Sequence, residues 1–459
     1  MATEPETLEA LKERGLESVL NLARQLGPEP EADLLRDLSQ LDWGALDAQK
    51  SALALEPSPP TGSVAPPPLT PPSNRPGNEE AANAGWAAIQ NGRLAIATVA
   101  GGQASRLGCS GPKGAFSIGP VAETTLFEIL AGQIRRLGEL ANREIAWVIQ
   151  TGPENHQETK SFFDRNNWFG LNPDKVYLAC QGTLPALSPS GQLLLASPNR
   201  LLRSPDGHGG FYKALKNAGL FQTLKEQGAD ILFYCQIDNP LVRMGDPAFL
   251  GHHLLAQAKM SVKVVEKTEP GEKVGLIAVR NDQTCCLEYS DLSSDFQNQR
   301  DPDGALSYRA GNIAVHAFDL DFAQEMAEAR LPLHPARKAV SALNAAGEKV
   351  ETEAVKFETF VFDALPLAEN VIVQMCDRDE EFAPVKNADG EDSPTSCKEA
   401  LNLRAHKWLS QACPDIAIPS TQAIELAPGL SISSQDLASR AEKIRINPSG
   451  LVTLCQTDG

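Results

Sequence analysis

Long apolar runs are missing from this sequence: nowhere do the roughly 18 consecutive apolar residues of a membrane-spanning helix occur. Positive charge is scarce as well. Lys and Arg number 41 against 59 Asp and Glu, a formal net charge of −18, which argues against broad binding to a nucleic-acid backbone and leaves room only for a locally built anion site. The nine cysteines form no CxxC pair and no short, even spacing, so a disulfide framework is not expected and a reducing compartment is the simplest setting. The seven histidines are dispersed apart from His252 and His253, whose adjacency is wrong for two ligands on one helix face. A GxSxG elbow, a GxxxxGK[ST] loop and a GxGxxG after a strand are all absent, which removes the support for serine-hydrolase, P-loop and dinucleotide-binding chemistry.

What is present is enough for a large core. The chain has 459 residues, 42% of them hydrophobic, and this length suggests two or three domains. Four glutamates in the first sixteen residues and no apolar stretch there give no sign of an export signal, so a cytoplasmic protein is expected. Leu8, Leu11, Leu16, Val19, Leu20, Leu22 and Leu26 recur at spacings of three and four, which makes residues 1–55 a helical arm. Nine of the 21 residues from Glu56 to Pro76 are proline, too many for a helix or a central strand, and 56–76 is expected to be an extended linker or surface strap.

From Arg93 onward short apolar runs alternate with amphipathic stretches. LAIATVA (94–100), EIAWVIQ (144–150), KVYLACQ (175–181), ILFYCQI (231–237) and VKVVEK (262–267) each have strand length. Between the first two, Leu126, Ile129, Leu130, Ile134, Leu137 and Leu140 fall on one helical face. This strand-helix-strand order implies an α/β domain with a largely parallel sheet, whose ligands bind at the carboxyl ends of the strands. The catalytic domain is placed at 77–408, and the short β-like pieces after it, punctuated by Pro and Gly, make 409–459 a small β-rich module.

Three segments sit where such a ligand would be. After the first strand, five glycines fall within residues 101–114, and between 101 and 116 the only charged side chains are Arg106 and Lys113. A flexible backbone carrying two cations and no carboxylate suits a phosphate cradle; an ordinary glycine-rich turn is the plainer alternative. SPDGHGGFYKAL (204–215) is a second glycine-rich loop, with His208 between Gly207 and Gly209. Asp238 follows the ILFYCQI strand, where a carboxylate can hold Mg²⁺ against phosphate oxygens or merely cap a turn. Lys386 is the one cation among six acids between Asp379 and Asp392, which by itself reads as a solvated side chain.

Taken in order, VAGGQASRLG, GPKGAF, TLFEI, CQGTLPALS, SPDGHGGFYKAL, QIDNPLVR, KVVEKTEPGEKVG, EYSDLS, AGNIAVH, ETFVFDA and EFAPVKNADGEDSP resemble the UDP-N-acetylhexosamine pyrophosphorylases, within the eukaryotic-type UDP-sugar uridylyltransferases. The likeness runs from about Trp86 to about Trp408. It implies a Rossmann-like nucleotide-diphospho-sugar transferase fold with a mostly parallel mixed sheet, and a Mg²⁺-dependent reaction of UTP with a sugar 1-phosphate to give a UDP-sugar and pyrophosphate. It also implies that Gly101 and Gly102 pack on uracil and ribose, that Gln181, Gly207 and His208 read the uridine, and that Arg106 and Lys113 hold the leaving pyrophosphate. Asp238 falls at the phosphates and metal, Lys386 at the α-phosphate, Glu288, Gly311 and Asn312 at sugar hydroxyls, and Phe360 and Phe362 at the walls of the sugar pocket.

Three positions depart from the family pattern: Ala104 replaces a glycine, Cys180 a glutamine and His208 an asparagine. A Gly-His-Gly loop is familiar from relatives that make UDP-glucose, whereas the RLG and KNAD elements look like the N-acetylhexosamine branch. N-acetylglucosamine 1-phosphate is therefore the expected sugar, with glucose or galactose 1-phosphate as the alternative and a non-catalytic UDP-sugar sensor behind both. No nucleic-acid or membrane partner is expected, and the oligomeric state is left open.

Overall fold

The strand-length runs of the sequence become the strands of one ten-stranded sheet in the computed structural model, which describes residues 2–54, 62–289 and 292–455. In chain order these strands are β1 (Val64–Ala65), β2 (Leu94–Val99), β3 (Ala146–Thr151), β4 (Val176–Cys180), β5 (Ile231–Gln236), β6 (Met260–Glu266), β7 (Leu276–Arg280), β8 (Gln283–Leu287), β9 (Ala310–Asp319) and β10 (Ile372–Cys376). β5, β2, β3 and β4 are neighbours in that order and parallel. Their residues are apolar on both faces because helices cover both, which is why they read as continuous runs. The other half differs from the largely parallel sheet expected: β9 pairs antiparallel with β5, β6 and β7, and β7 antiparallel with β8, while β6 and β10 are parallel. Strands 276–280 and 283–287 are joined by a two-residue turn at Asn281 and Asp282, both at positive φ, so the chain turns straight back there with no crossover helix between them.

The helix expected between the first two runs spans Leu126–Ala141. It starts at Thr125, whose hydroxyl accepts the Glu128 N–H while the Glu128 carboxylate reaches back to the Thr125 N–H, and it ends at Asn142 in the left-handed region. Leu126, Leu130, Ile134 and Leu137 are buried as the spacing predicts. Leu140 is not; it is 37% exposed, and Phe127, Ala131 and Ala141 complete the buried face instead.

Two compact units divide the chain. The larger comprises 60–180, 212–329 and 364–459 and contains the ten-stranded sheet. Within it the end of the chain forms a three-stranded sheet of Glu425–Leu426, Leu451–Leu454 and Ile444–Ile446, packed with Ala405, Trp408 and Leu409 of the Pro394–Ala412 helix. The smaller comprises 1–59, 181–211 and 330–363. Its core joins Leu11, Leu20, Leu34, Leu38 and Leu46 of the amino-terminal helices to Leu187, Leu195, Val355 and Phe357. The helical arm is thus packed into a unit with two segments distant in sequence. Of the proline-rich stretch, 55–61 lie outside the described residues. The remainder lies along the sheet: Val64 and Ala65 pair with Arg280 and Val279, and Thr70 bridges to Gln374 of β10.

Among the described residues no helix is long and apolar enough to cross a membrane. All nine cysteines are free thiols.

Candidate active site

The glycine loop leaves the carboxyl end of β2. Its backbone folds back on itself, with the Ala104 N–H on Gly111 O (3.1 Å) and the Lys113 N–H on Gly102 O (3.2 Å), and it turns at Gly108 and Gly111, both at positive φ. Asn155, fully buried, holds the start of the loop: its Nδ2 donates to Ala100 O (3.0 Å) and Gly102 O (3.1 Å), while its Oδ1 accepts the Gly152 N–H (2.8 Å). A Cβ at Gly152 would lie 2.7 Å from Gly101 O, so glycine is required there, whereas a Cβ at Gly102 would meet open space. Ala104 is accommodated without strain, since its φ is −82° and its methyl group is buried.

The loop delivers Lys113 to the strand-end acid. Lys113 Nζ lies 3.3 Å from Asp238 Oδ2, with side chains 17% and 12% exposed. Two of the residues chosen from sequence therefore meet at the ends of adjacent parallel strands. Arg106 stands exposed on the loop and makes no ion pair among the described residues. Lys386 is brought to the same region through its backbone, because the Val385 N–H donates to Asp238 O (2.9 Å). Its ammonium lies 3.5 Å from Asp392 Oδ2 and 5.7 Å from the centre of the Phe382 ring.

Glu288, Gly311 and Asn312 gather where β7, β8 and β9 meet. Gly311 pairs with Leu276 and Val265, and a Cβ there would press on Val265 O and Val274 at 3.2 Å. The Asn312 N–H donates to Gly275 O (2.8 Å), and a Cβ on Gly275 would lie 3.8 Å from Glu288 Oε1. Asn312 Oδ1 accepts the N–H of Ala314, a non-glycine residue at φ +55° beside the register shift between Lys263 and Val264. Ser290 and Asp291 of the neighbouring EYSDLS motif lie outside the described residues.

In the smaller unit His208, Phe360 and Phe362 come together. The His208 ring stacks on Phe360 at 5.1 Å and 16°, lies 5.5 Å from Phe362, and accepts the Val361 N–H at Nδ1 (3.1 Å). With Nδ1 accepting, the neutral ring carries its proton on Nε2. His208 thus joins the 204–215 loop to residues 360–362. Phe360 also stacks on His334 at 4.2 Å, and Asp363 Oδ2 lies 2.9 Å from His334 Nε2 and accepts the Phe360 N–H. Gly207, at φ +84°, lies so close to 358–359 that a Cβ would come 2.4 Å from Thr359 O. Gln181 is buried in the same unit.

Asn155, Gly152, His334 and Asp363 were not found from the sequence. The two asparagine and glycine positions support the loop through backbone contacts some 50 residues away, and no local spacing marks them.

A glycine loop that sets a lysine on a strand-end acid, in a mixed sheet with helical cover, belongs to the α/β nucleotidyltransferases. The chain is a member of the UTP-glucose-1-phosphate uridylyltransferase family, whose model matches residues 78–435. It is 35% identical over 430 residues to UDP-N-acetylglucosamine diphosphorylase 2 of Arabidopsis thaliana, covering 88% of this chain and 84% of that one. It is 33% identical to the UDP-N-acetylglucosamine pyrophosphorylase of Saccharomyces cerevisiae, covering 82% of each. The fold matches the uridine diphosphate N-acetylglucosamine pyrophosphorylase of Trypanosoma brucei with a TM-score of 0.84 at 24% identity, over 100% of this chain and 99% of that one.

Proposed function

We propose that the protein transfers a uridylyl group from UTP to N-acetylglucosamine 1-phosphate, releasing pyrophosphate. The observation that carries this is the pairing of Lys113 with Asp238 at the strand ends, in a chain whose relatives at 33–35% identity are named for that sugar nucleotide. A phosphate oxygen of the sugar phosphate attacks the α-phosphorus in line, and the bond from that phosphorus to the pyrophosphate oxygen breaks, its electron pair leaving with pyrophosphate. The attacking phosphate is already ionised, so no general base is required, and catalysis rests on positioning and on neutralising the charge that moves onto the leaving group. Arg106 and Lys113 are assigned to the leaving pyrophosphate and Lys386 to the α-phosphate. Gly101 and Gly102 are assigned to the nucleoside.

Among the described residues no three His, Cys, Asp or Glu converge as a metal cage. Mg²⁺ needs none, since it is commonly held by one or two carboxylates together with substrate phosphates, and Asp238 at the strand end is the carboxylate proposed to hold it. Bound there, the ion would supply positive charge to the phosphate oxygens. In the smaller unit Gln181, Gly207 and His208 are proposed for uridine, and Phe360 and Phe362 for the sugar; in the larger, Glu288, Gly311 and Asn312 are proposed for sugar hydroxyls.

A second substrate, glucose 1-phosphate, is favoured only by His208 in its Gly-His-Gly loop. Pyrophosphate release from UTP and Mg²⁺ with N-acetylglucosamine, N-acetylgalactosamine, glucose and galactose 1-phosphates decides between them. Preference for the N-acetylated sugars is expected. A glucose preference would keep the family and replace the sugar, and UDP-sugar binding with no pyrophosphate release from any of the four would mean a sensor.

A further inference from the structure

The segment that ends in Lys386 has an unusual mooring. Asn239 directly follows the strand-end acid, is 3% exposed, and uses both ends of its carboxamide on backbone groups of that segment: Nδ2 donates to Glu381 O (2.7 Å) and Oδ1 accepts the Ala383 N–H (3.1 Å). Pro384 has no N–H, and the next one, on Val385, goes to Asp238 O (2.9 Å). Residues 381–385 are thus bonded to 238–239 through Glu381 O and both available N–H groups at 383 and 385. Two further ties fix the start of the segment. Arg404 Nη1 donates to both Leu241 O (2.8 Å) and Glu380 O (3.1 Å), and the Glu381 carboxylate is held by the buried Lys263 ammonium at 2.8 Å. Pro240 restricts Asn239 to extended backbone. Lys386 emerges one residue beyond the last tie.

We infer that Asn239 is a positioning residue for the reaction, setting Lys386 relative to Asp238 and the phosphates between them, and resting on the role given to Lys386 above. Only a carboxamide of this length carries a donor and an acceptor at the required spacing. Aspartate keeps the acceptor and loses the donor; alanine loses both. Since a displacement of about 1 Å in a charged group can cost on the order of a hundredfold in rate, Asn239 acts on turnover rather than on affinity.

The test is a double-mutant cycle in the full chain, with kcat and KM for UTP, and thermal midpoints for every variant. Asn239→Ala is expected to lower kcat about ten- to a hundredfold while KM for UTP stays within about threefold. In a Lys386→Ala background the same substitution should cost almost nothing more, because the group it positions is gone. An equal loss in both backgrounds, with Lys386→Ala itself slow, overturns the positioning role alone. Full turnover by Lys386→Ala overturns the assignment of Lys386 together with the inference built on it. If Asn239→Ala does not fold, Asn239→Asp serves: burial at this site and the neighbouring Asp238 raise the new carboxyl above the ordinary carboxylate range, so relative to wild type its kcat should recover as pH falls from 8 toward 6, when the protonated carboxyl again donates to Glu381 O. A ratio to wild type that stays flat with pH, or a variant as fast as wild type, overturns the proposal.

Discussion

Lys113 makes a half-buried contact with Asp238, so its removal is predicted to show in chemistry before it shows in folding. Lys113→Ala should reduce kcat by about a hundred- to a thousandfold, the magnitude of losing one positioned electrostatic group in a nucleotidyl or acyl transfer site. Its thermal midpoint should move little, because partly exposed ion pairs contribute about 1 kcal/mol or less. Unchanged turnover in a steady-state pyrophosphate assay would remove Lys113 from the site. Gly207 belongs at the same scale. Gly207→Ala places a methyl group against Thr359 O at φ +84°, a conformation that costs a non-glycine residue about 1 kcal/mol before any clash. A raised KM for UTP and a lowered melting temperature are the expected results. Both glycine loops were legible in the sequence because glycine clusters mark where backbone must come close to something. Asn155 and Asn239 were not, since each works through a bond to a carbonyl far along the chain, and an isolated asparagine in sequence looks like any turn residue.

The strands and the Leu126–Ala141 helix were legible for a different reason. Burial on both faces writes an unbroken apolar run, and a Thr-x-x-Glu start followed by leucines at helical spacing writes a cap and a face. Leu140 breaks the pattern because a helical stripe is wider than the contact it makes: in the last turn Leu137, Gly138 and Ala141 take the buried positions. β6 hides a feature no periodicity reveals. Lys263, wholly buried in that strand, lies 2.7 Å from Asp246 Oδ2 and 2.8 Å from Glu381 Oε1, with Ser73 Oγ also bonded to Asp246. The two carboxylates hold the ammonium charged, above its ordinary pKa, despite burial, while burial pushes the Glu381 carboxyl up. Lys263→Met removes the ammonium that two buried acids share, leaving Asp246 with Arg243 at 3.7 Å, and should destabilise the protein by about 3–5 kcal/mol. Urea unfolding of the variant measures this; a loss below about 1 kcal/mol would show that the cluster relaxes or takes up protons at no cost.

Across the whole molecule, acid sensitivity should follow from His253. Burial depresses its pKa from 6.5 to about 4, with Asp319 opposing and Lys259 adding to the shift, and its Nδ1 lies 2.8 Å from Ser261 Oγ. Above pH 6.5 folded and unfolded chains both hold it neutral, so it contributes no pH dependence. As pH falls from 6.5 toward 4 the unfolded chain takes up the proton and the folded one does not. Stability is then lost by up to about 3 kcal/mol from this group. His253→Gln should show a shallower fall in thermal midpoint over pH 6.5 to 5 than wild type, and parallel curves would assign the acid sensitivity elsewhere. At this scale the sequence was least informative. Composition along the chain suggests consecutive blocks, whereas the smaller unit collects three separated segments around Leu34, Leu187 and Phe357, and apolar texture carries no record of which distant segments share a core.

The proline-rich strap gives the ten-stranded sheet a boundary. β10 lies at one side of that sheet, and Thr70 meets it through a single bridge, its N–H on Val373 O and its carbonyl receiving the Met375 N–H. The residues that follow, Pro71 and Pro72, have no N–H to offer. Two of the edge's hydrogen-bonding groups, Val373 O and the Met375 N–H, are thus answered by a segment that cannot itself be extended, one of the ways in which sheets avoid becoming templates for other copies. A second copy of the chain could not pair with β10 at Val373 and Met375 without first displacing the strap.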